Sequence, residues 1–170
     1  CPRIETVEAS PCAPPPTAPR DGTAPRATTT FGARKETVVL LGPPGTGKTH
    51  LAIALASKAA EAAYPVMFDS ATGWITRLAD AHAHGRLPEE LRRLNRYRVI
   101  LIDEVGYLPF DAASAALFFQ LIASRYETGS VLVTSNLAFA RWGETLGYDV
   151  VAAAIDLLVH HAPPTALRAP

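Results

Sequence analysis

The chain has 170 residues, enough for one domain with a buried core, and its 48% hydrophobic and 19% charged residues mark a globular composition. Its 16 basic residues balance 16 acidic ones, so any nucleic-acid contact has to come from local patches and not from a whole-molecule field. No apolar run reaches bilayer-spanning length, no basic-then-apolar leader is read, and Cys1 and Cys12 both fall in the N-terminal stretch; these features argue against a membrane span and a disulfide framework and make the cytoplasm the expected compartment.

Residues 1–34 place Pro2, Pro11, Pro14, Pro15, Pro16, Pro19 and Pro25 among Ala and Thr. Proline removes backbone donors and fixes φ, so this stretch is expected to be a disordered arm. A core over 35–162 and an irregular tail over 163–170 follow. The run Val38-Val39-Leu40-Leu41 is apolar at every position, the pattern of a parallel strand buried on both faces. An Ala-rich helix over 49–63 comes next, then a short strand at Val66-Met67-Phe68. Helical periodicity runs through Trp74, Ile75, Leu78 and Ala79 in 72–83 and resumes after Pro88. Val99-Ile100-Leu101-Ile102 is a third buried strand. Asp111 is the expected N-cap of a helix burying Leu117, Phe118, Leu121 and Ile122. Val131-Leu132-Val133 is a fourth strand, and 150–161 a last helix stopped by Pro163-Pro164. Strands alternating with helices predict an α/β fold, a parallel sheet with helices on both faces.

Gly42-Pro43-Pro44-Gly45-Thr46-Gly47-Lys48-Thr49 fits GxxxxGK[ST] and lies between a buried strand and a helix, the context a P-loop requires. Its glycines let successive N–H groups converge on phosphate oxygens at a helix N-terminus. Lys48 is then expected to bridge the β- and γ-phosphates of ATP, and the Thr49 hydroxyl to ligate Mg²⁺. Asp103 and Glu104 close the third strand, and ligands of open α/β sheets bind at the carboxyl ends of strands. Asp103 is the expected Mg²⁺ partner opposite Thr49, and Glu104 the base for an attacking water; the bland alternative is a solvated acidic pair. The Glu beside the Asp suits a hydrolase better than a small-molecule kinase, which must exclude water. Asn136, after Thr134 and Ser135, either contacts that water or the γ-phosphate, or only caps a turn.

Arg86, Arg92, Arg93, Arg96 and Arg98 form a basic cluster. It reads as a solvated helix face with cations near its C-terminal end, which composition alone favours, or as a patch contacting DNA phosphates. His82 and His84 are two residues apart and His160 and His161 adjacent, spacings that do not converge on a metal on a helix.

Taken together, GPPGTGKTHLAIAL, FDSATGWITRLADAH, ILIDEVGYLPFD, LFFQLIASRYETGSVLVTSN, WGETLGYDVVAAA and LVHH make residues 37–161 resemble the ATPase core of the IstB-like transposition helpers, relatives of the DnaC helicase loaders in the AAA+ class. The resemblance implies a P-loop NTPase fold of AAA+ type, assembly of several copies, double-stranded DNA as a partner and a transposase as another. It places residues 42–49, Asp103, Glu104 and Asn136 at the family's P-loop, Walker B and first-sensor positions, and raises the standing of the arginine patch. Departures from the family are also legible. The proline-rich arm stands where a helical domain is usual, and Leu157 follows Asp156 where the family carries an arginine that reaches a neighbour's ATP. Residues 162–170 offer neither the last strand nor a second sensor, so Val38-Val39-Leu40-Leu41 is expected to become an exposed sheet edge. An alternative reading is therefore a truncated remnant or interaction module that binds ATP with little or no hydrolysis.

Overall fold

The computed structural model describes residues 3–6, 35–107, 109–138, 141–142 and 167–168. The elements run β1 (Arg3–Thr6), β2 (Thr37–Leu41), α1 (Lys48–Glu61), β3 (Val66–Ser70), α2 (Ala71–Ala83), α3 (Leu87–Leu94), β4 (Val99–Val105), α4 (Ala112–Arg125), β5 (Ser130–Ser135) and β6 (Leu167–Arg168). All six strands lie in one parallel sheet of order β3-β4-β5-β2-β1-β6. The predicted last helix over 150–161, with Asp156, Leu157, His160 and His161, lies outside the described residues, as do Cys1, Cys12 and the proline cluster.

The uniformly apolar strands serve two cores at once, because side chains alternate across the sheet. On one face Val38, Leu40, Val99, Leu101 and Leu132 meet Ala52, Ala56 and Ala59 of α1, whose small side chains allow close approach. On the other face Val39, Leu41, Ile100, Ile102, Val131 and Val133 meet Trp74, Leu78, Phe118 and Leu121 of α2 and α4. Each fully buried Leu or Val contributes roughly 1.5–3 kcal/mol. Trp74 anchors α2 by donating its indole N–H to Leu101 O at 2.9 Å. Ser70 and Asp111 cap α2 and α4 by accepting from Gly73 N at 3.1 Å and Ser114 N at 2.7 Å, so the predicted Asp111 cap forms.

One expectation is corrected. β2 is not an exposed edge: Val39 and Leu40 are fully buried, and β1 pairs beside it in parallel, Arg3 opposite Val38 through Thr6 opposite Leu41. The supposedly irregular tail likewise contributes β6, pairing Leu167 with Glu5 and Arg168 with Thr6. The physical reason is that 3–10 lacks proline and keeps every backbone donor, so the arm's first residues can satisfy the open ladder of β2.

A buried cation, not anticipated from sequence, joins α4 to the α3–β4 connection. Arg125 is 1% exposed. Its Nη1 donates to Leu94 O (3.1 Å) and Asn95 Oδ1 (3.3 Å), and its Nη2 to Tyr97 O (2.8 Å) and Arg98 O (3.2 Å). It thus supplies donors to the last turn of α3. Burial, and then the nearby Arg98 charge, push its pKa down to about 10, so it stays cationic at neutral pH. Gly129 leaves the room, since a Cβ there would sit 1.8 Å from Arg125 Nη2. Gly129→Ala and Arg125→Ala are each expected to cost about 3 kcal/mol, because buried carbonyls lose their donors. Urea unfolding checks this, and the double variant should cost clearly less than the sum.

Candidate functional site

In a parallel sheet every carboxyl end opens on one edge, and there the P-loop, the acidic pair and the 134–136 turn meet. Residues 42–47 join β2 to α1, with Gly45 and Gly47 both at φ 80°, a left-handed conformation that a side chain would strain. Nothing lies within 4 Å of a Cβ built at either glycine, so the conformation demands glycine here, not the space. Gly42 N donates to Ser135 O at 3.2 Å, tying the loop to β5. Lys48 is buried at the start of α1, and its Nζ donates to Pro43 O at 2.7 Å and Thr46 Oγ1 at 3.4 Å. Desolvation lowers the pKa of its ammonium, and the Asp103 charge partly restores it. An anion brought to this loop favours the charged form further.

The acidic pair owes its placement to a bulge. Ile102 pairs with Val133 and Val105 with Ser135, so Asp103 and Glu104 together oppose Thr134. In a regular strand these neighbours point to opposite faces. Here the Thr134 hydroxyl serves both, donating to Asp103 Oδ1 in a short hydrogen bond and accepting from Glu104 N at 3.0 Å. Asp103 Oδ1 also accepts from Thr49 Oγ1 at 3.1 Å. Glu104 has φ 61°, a left-handed backbone that costs a non-glycine residue about 1–2 kcal/mol. The strain falls on the residue expected to act on water, and it leaves that carboxylate exposed while Asp103 is buried.

A cleft of about 160 Å³ is lined by Lys48, Thr49, Glu104, Tyr107, Thr134 and Asn136, with Pro44 and Gly45. Asn136 Oδ1 is buried there with no hydrogen-bond partner among the described residues. An orphaned acceptor facing a phosphate loop can take a hydrogen from a water or hydrated ligand. Sequence reasoning reached these residues except Tyr107 and the bridging role of Thr134. The only sequence signal for Thr134 was its position at the end of the strand beside the acidic one. The hard oxygen donors of Thr49 and Asp103 fit a Mg²⁺ shared with phosphate oxygens.

The basic cluster lies on α3 and the turn leading into the amino end of β4, where Arg98 N donates to Pro65 O and Ser130 N to Arg98 O, and the structure divides it. Arg93 is held by Glu90 through Nε at 2.9 Å and Nη2 at 2.7 Å. That hydrogen bond, more than the surrounding charges, keeps the Glu90 carboxyl below its usual range. Arg86 lies 3.6 Å from Asp80, an exposed pair of small energetic weight. Arg92 and Arg96 are exposed, with no acidic partner among the described residues, and Arg98 is half-buried beneath Arg125. A groove of about 760 Å³ runs between α2 and α3, and Arg77, Arg86 and Arg93 line it together with Asp69, Asp80 and Glu90. Among the described residues no helix is long and apolar enough to cross a membrane.

Known proteins resemble this chain in sequence and in fold. A protein from Pseudomonas aeruginosa, named for insertion sequence IS21 as an ATP-binding protein, is 49% identical over 133 residues, covering 78% of this chain and 50% of that protein. Its counterpart named for IS5376 of Geobacillus stearothermophilus is 43% identical over 136 residues, covering 79% and 54%. The chain therefore spans about half the length of these relatives. Among solved structures the DnaC helicase loader superposes with a TM-score of 0.66 at 20% identity, covering 85% of this chain and 88% of that one. DnaA bound to AMPPCP and single-stranded DNA gives 0.68 at 18%, covering 86% and 44%. Identities this low show the fold alone, a parallel sheet with helices on both faces. The family model described as IstB-like ATP binding protein matches residues 16–167, and the chain belongs to that family.

Proposed function

We propose that this chain is a Mg²⁺-dependent ATPase of insertion-sequence transposition that assembles with copies of itself on double-stranded DNA and assists a transposase. The observation that carries the reaction is the bulge, which turns Asp103 and Glu104 toward one Thr134 hydroxyl opposite Lys48 and Thr49. Gly45, Thr46, Gly47 and Lys48 offer backbone donors and a charge to the phosphates, with Gly42, Pro43 and Pro44 shaping the loop. Thr49 and Asp103 would hold Mg²⁺, which supplies charge neutralisation to the phosphates. Glu104 takes a proton from a water aligned by Asn136; that water's oxygen bonds to the γ-phosphorus as the bond to the β–γ bridging oxygen breaks, giving ADP and phosphate. The developing charge on that oxygen is met by the Lys48 ammonium.

The DNA role rests on Arg92 and Arg96, exposed cations at the C-terminal end of α3, supported by the names of the relatives. Arg86 and Arg93 join them only where phosphates outcompete Asp80 and Glu90. A second reading, ATP binding without turnover, is motivated by Leu157 in the place of the family's arginine, a group worth roughly 10³–10⁵ in rate when supplied from a neighbour.

Fluorescent-ATP binding measured alongside phosphate release separates the two readings. Lys48→Ala should weaken binding strongly, whereas Glu104→Gln should keep binding and lower phosphate release by roughly 10²-fold or more. Binding without any release in the unmodified chain selects the second reading. Glu104→Gly should abolish release yet stabilise the fold by about 1 kcal/mol in urea unfolding, since glycine relieves the left-handed backbone. For DNA, Arg92→Ala and Arg96→Ala should each reduce the slope of log K against log salt by about 1 for duplexes of any sequence. Unchanged slopes would remove both residues from the interface.

A further inference from the structure

Ser135 and Trp142 stand behind the site, and Ser135 meets the P-loop through its backbone carbonyl, which accepts from Gly42 N, leaving its hydroxyl for other contacts. Ser135 is fully buried at the end of β5, and its hydroxyl uses its full capacity. Oγ donates to Val105 O at 2.6 Å and accepts from Leu137 N at 3.1 Å and Trp142 Nε1 at 3.2 Å. The indole N–H is shared with Leu137 O, also at 3.2 Å, and Trp142 is itself fully buried. One hydroxyl therefore joins Val105, directly after Glu104, to Leu137, directly after Asn136. The same two turns also touch through Gly106, at φ 88°, where a Cβ would sit 2.9 Å from Leu137 Cδ1.

A buried serine at a strand end could be only a small core residue. Three observations argue for more. The hydroxyl proton goes to the carbonyl just past the bulge, where the backbone has left regular strand geometry. Glu104 holds a left-handed conformation, which in a non-glycine residue persists only where the surroundings fix it. The Asn136 Oδ1 beside this junction is buried without a partner among the described residues.

We propose that Ser135, itself oriented by Trp142, is a positioning residue that fixes the Glu104 turn against the Asn136 turn, so that base and water-aligning amide keep one geometry. The inference rests on the hydrolytic reading for its kinetic part and on the contacts alone for its structural part. Movement of the indole would break its bonds to Ser135 Oγ and Leu137 O together.

The test uses the full chain with Ser135→Ala and, as a change that keeps an aromatic ring while removing the indole N–H, Trp142→Phe. Fluorescent-ATP affinity, phosphate release and amide hydrogen exchange are measured for each. The tie predicts affinity within about threefold of the unmodified chain and phosphate release lowered by about tenfold or more, since misplacing a catalytic group costs rate and not binding. Exchange at the Tyr107 and Leu137 amides should quicken by about tenfold while amides of α1 and α2 stay protected. A loss of release matched by an equal loss of affinity overturns the proposal, as does unchanged exchange at Tyr107 in both variants. Should Ser135→Ala not fold, Trp142→Phe decides by the same criteria. An unmodified chain that binds ATP but releases no phosphate defeats the hydrolytic reading, and exchange at Tyr107 and Leu137 then decides the tie alone.

Discussion

A single carboxylate oxygen holds the site together. Asp103 Oδ1 accepts from Thr49 on α1 and from Thr134 on β5 while belonging to β4, so one acceptor joins three elements from distant parts of the chain. Thr134 can reach it because β4 bulges, and the bulge is also what turns Glu104 onto the same edge. Were β4 regular, alternation would send one of the two carboxylates to the far face of the sheet. The P-loop, the proposed Mg²⁺ ligands and the proposed base thus depend on one local irregularity in an otherwise regular ladder.

That irregularity is tolerable because its surroundings are rigid. β4 and β5 lie inside the sheet and bury apolar side chains on both faces, so the strain at Glu104 is outweighed by packing that a small shift would lose. The P-loop has the same support, with β2 flanked by β5 on one side and β1 on the other. Regular parallel strands supply the stiffness, and the bends at their carboxyl ends supply the chemistry. The arginine region is built differently. It hangs on α3 and the turn after it, anchored by Leu87 and Leu94 in the core and joined to α4 by the buried Arg125.

Much of this was legible in the chain itself. The four apolar runs announced β2, β3, β4 and β5, and the Ala-rich segment announced a helix lying close to the sheet, because burial of β2, β4 and β5 on two faces favours apolar runs and small helical side chains. Asp111 as a cap and the glycines of the P-loop were legible for equally local reasons. The edge beside β2 was misread. Proline counts describe the arm as a whole, but strand addition needs only a few consecutive residues with free backbone groups, and Arg3–Thr6 supply them. The arginine cluster read as a single feature because five arginines lie close in sequence; in space Glu90 and Asp80 engage two of them and Arg98 turns inward.

The sequence by itself therefore determined the nucleotide class, the α/β architecture and the family, since each follows from short spacings and two-residue or four-residue periodicities that survive in one dimension. Only the tertiary structure decided how the acidic pair shares Thr134, how Arg125 fills the space left at Gly129, and how Ser135 and Trp142 join the turns that carry Glu104 and Asn136. Those contacts join residues about 30 positions apart or depend on a bulge. Neither a pairing across strands nor a left-handed glutamate leaves a periodic mark in the chain, because both are imposed by neighbours that meet only once the sheet has formed.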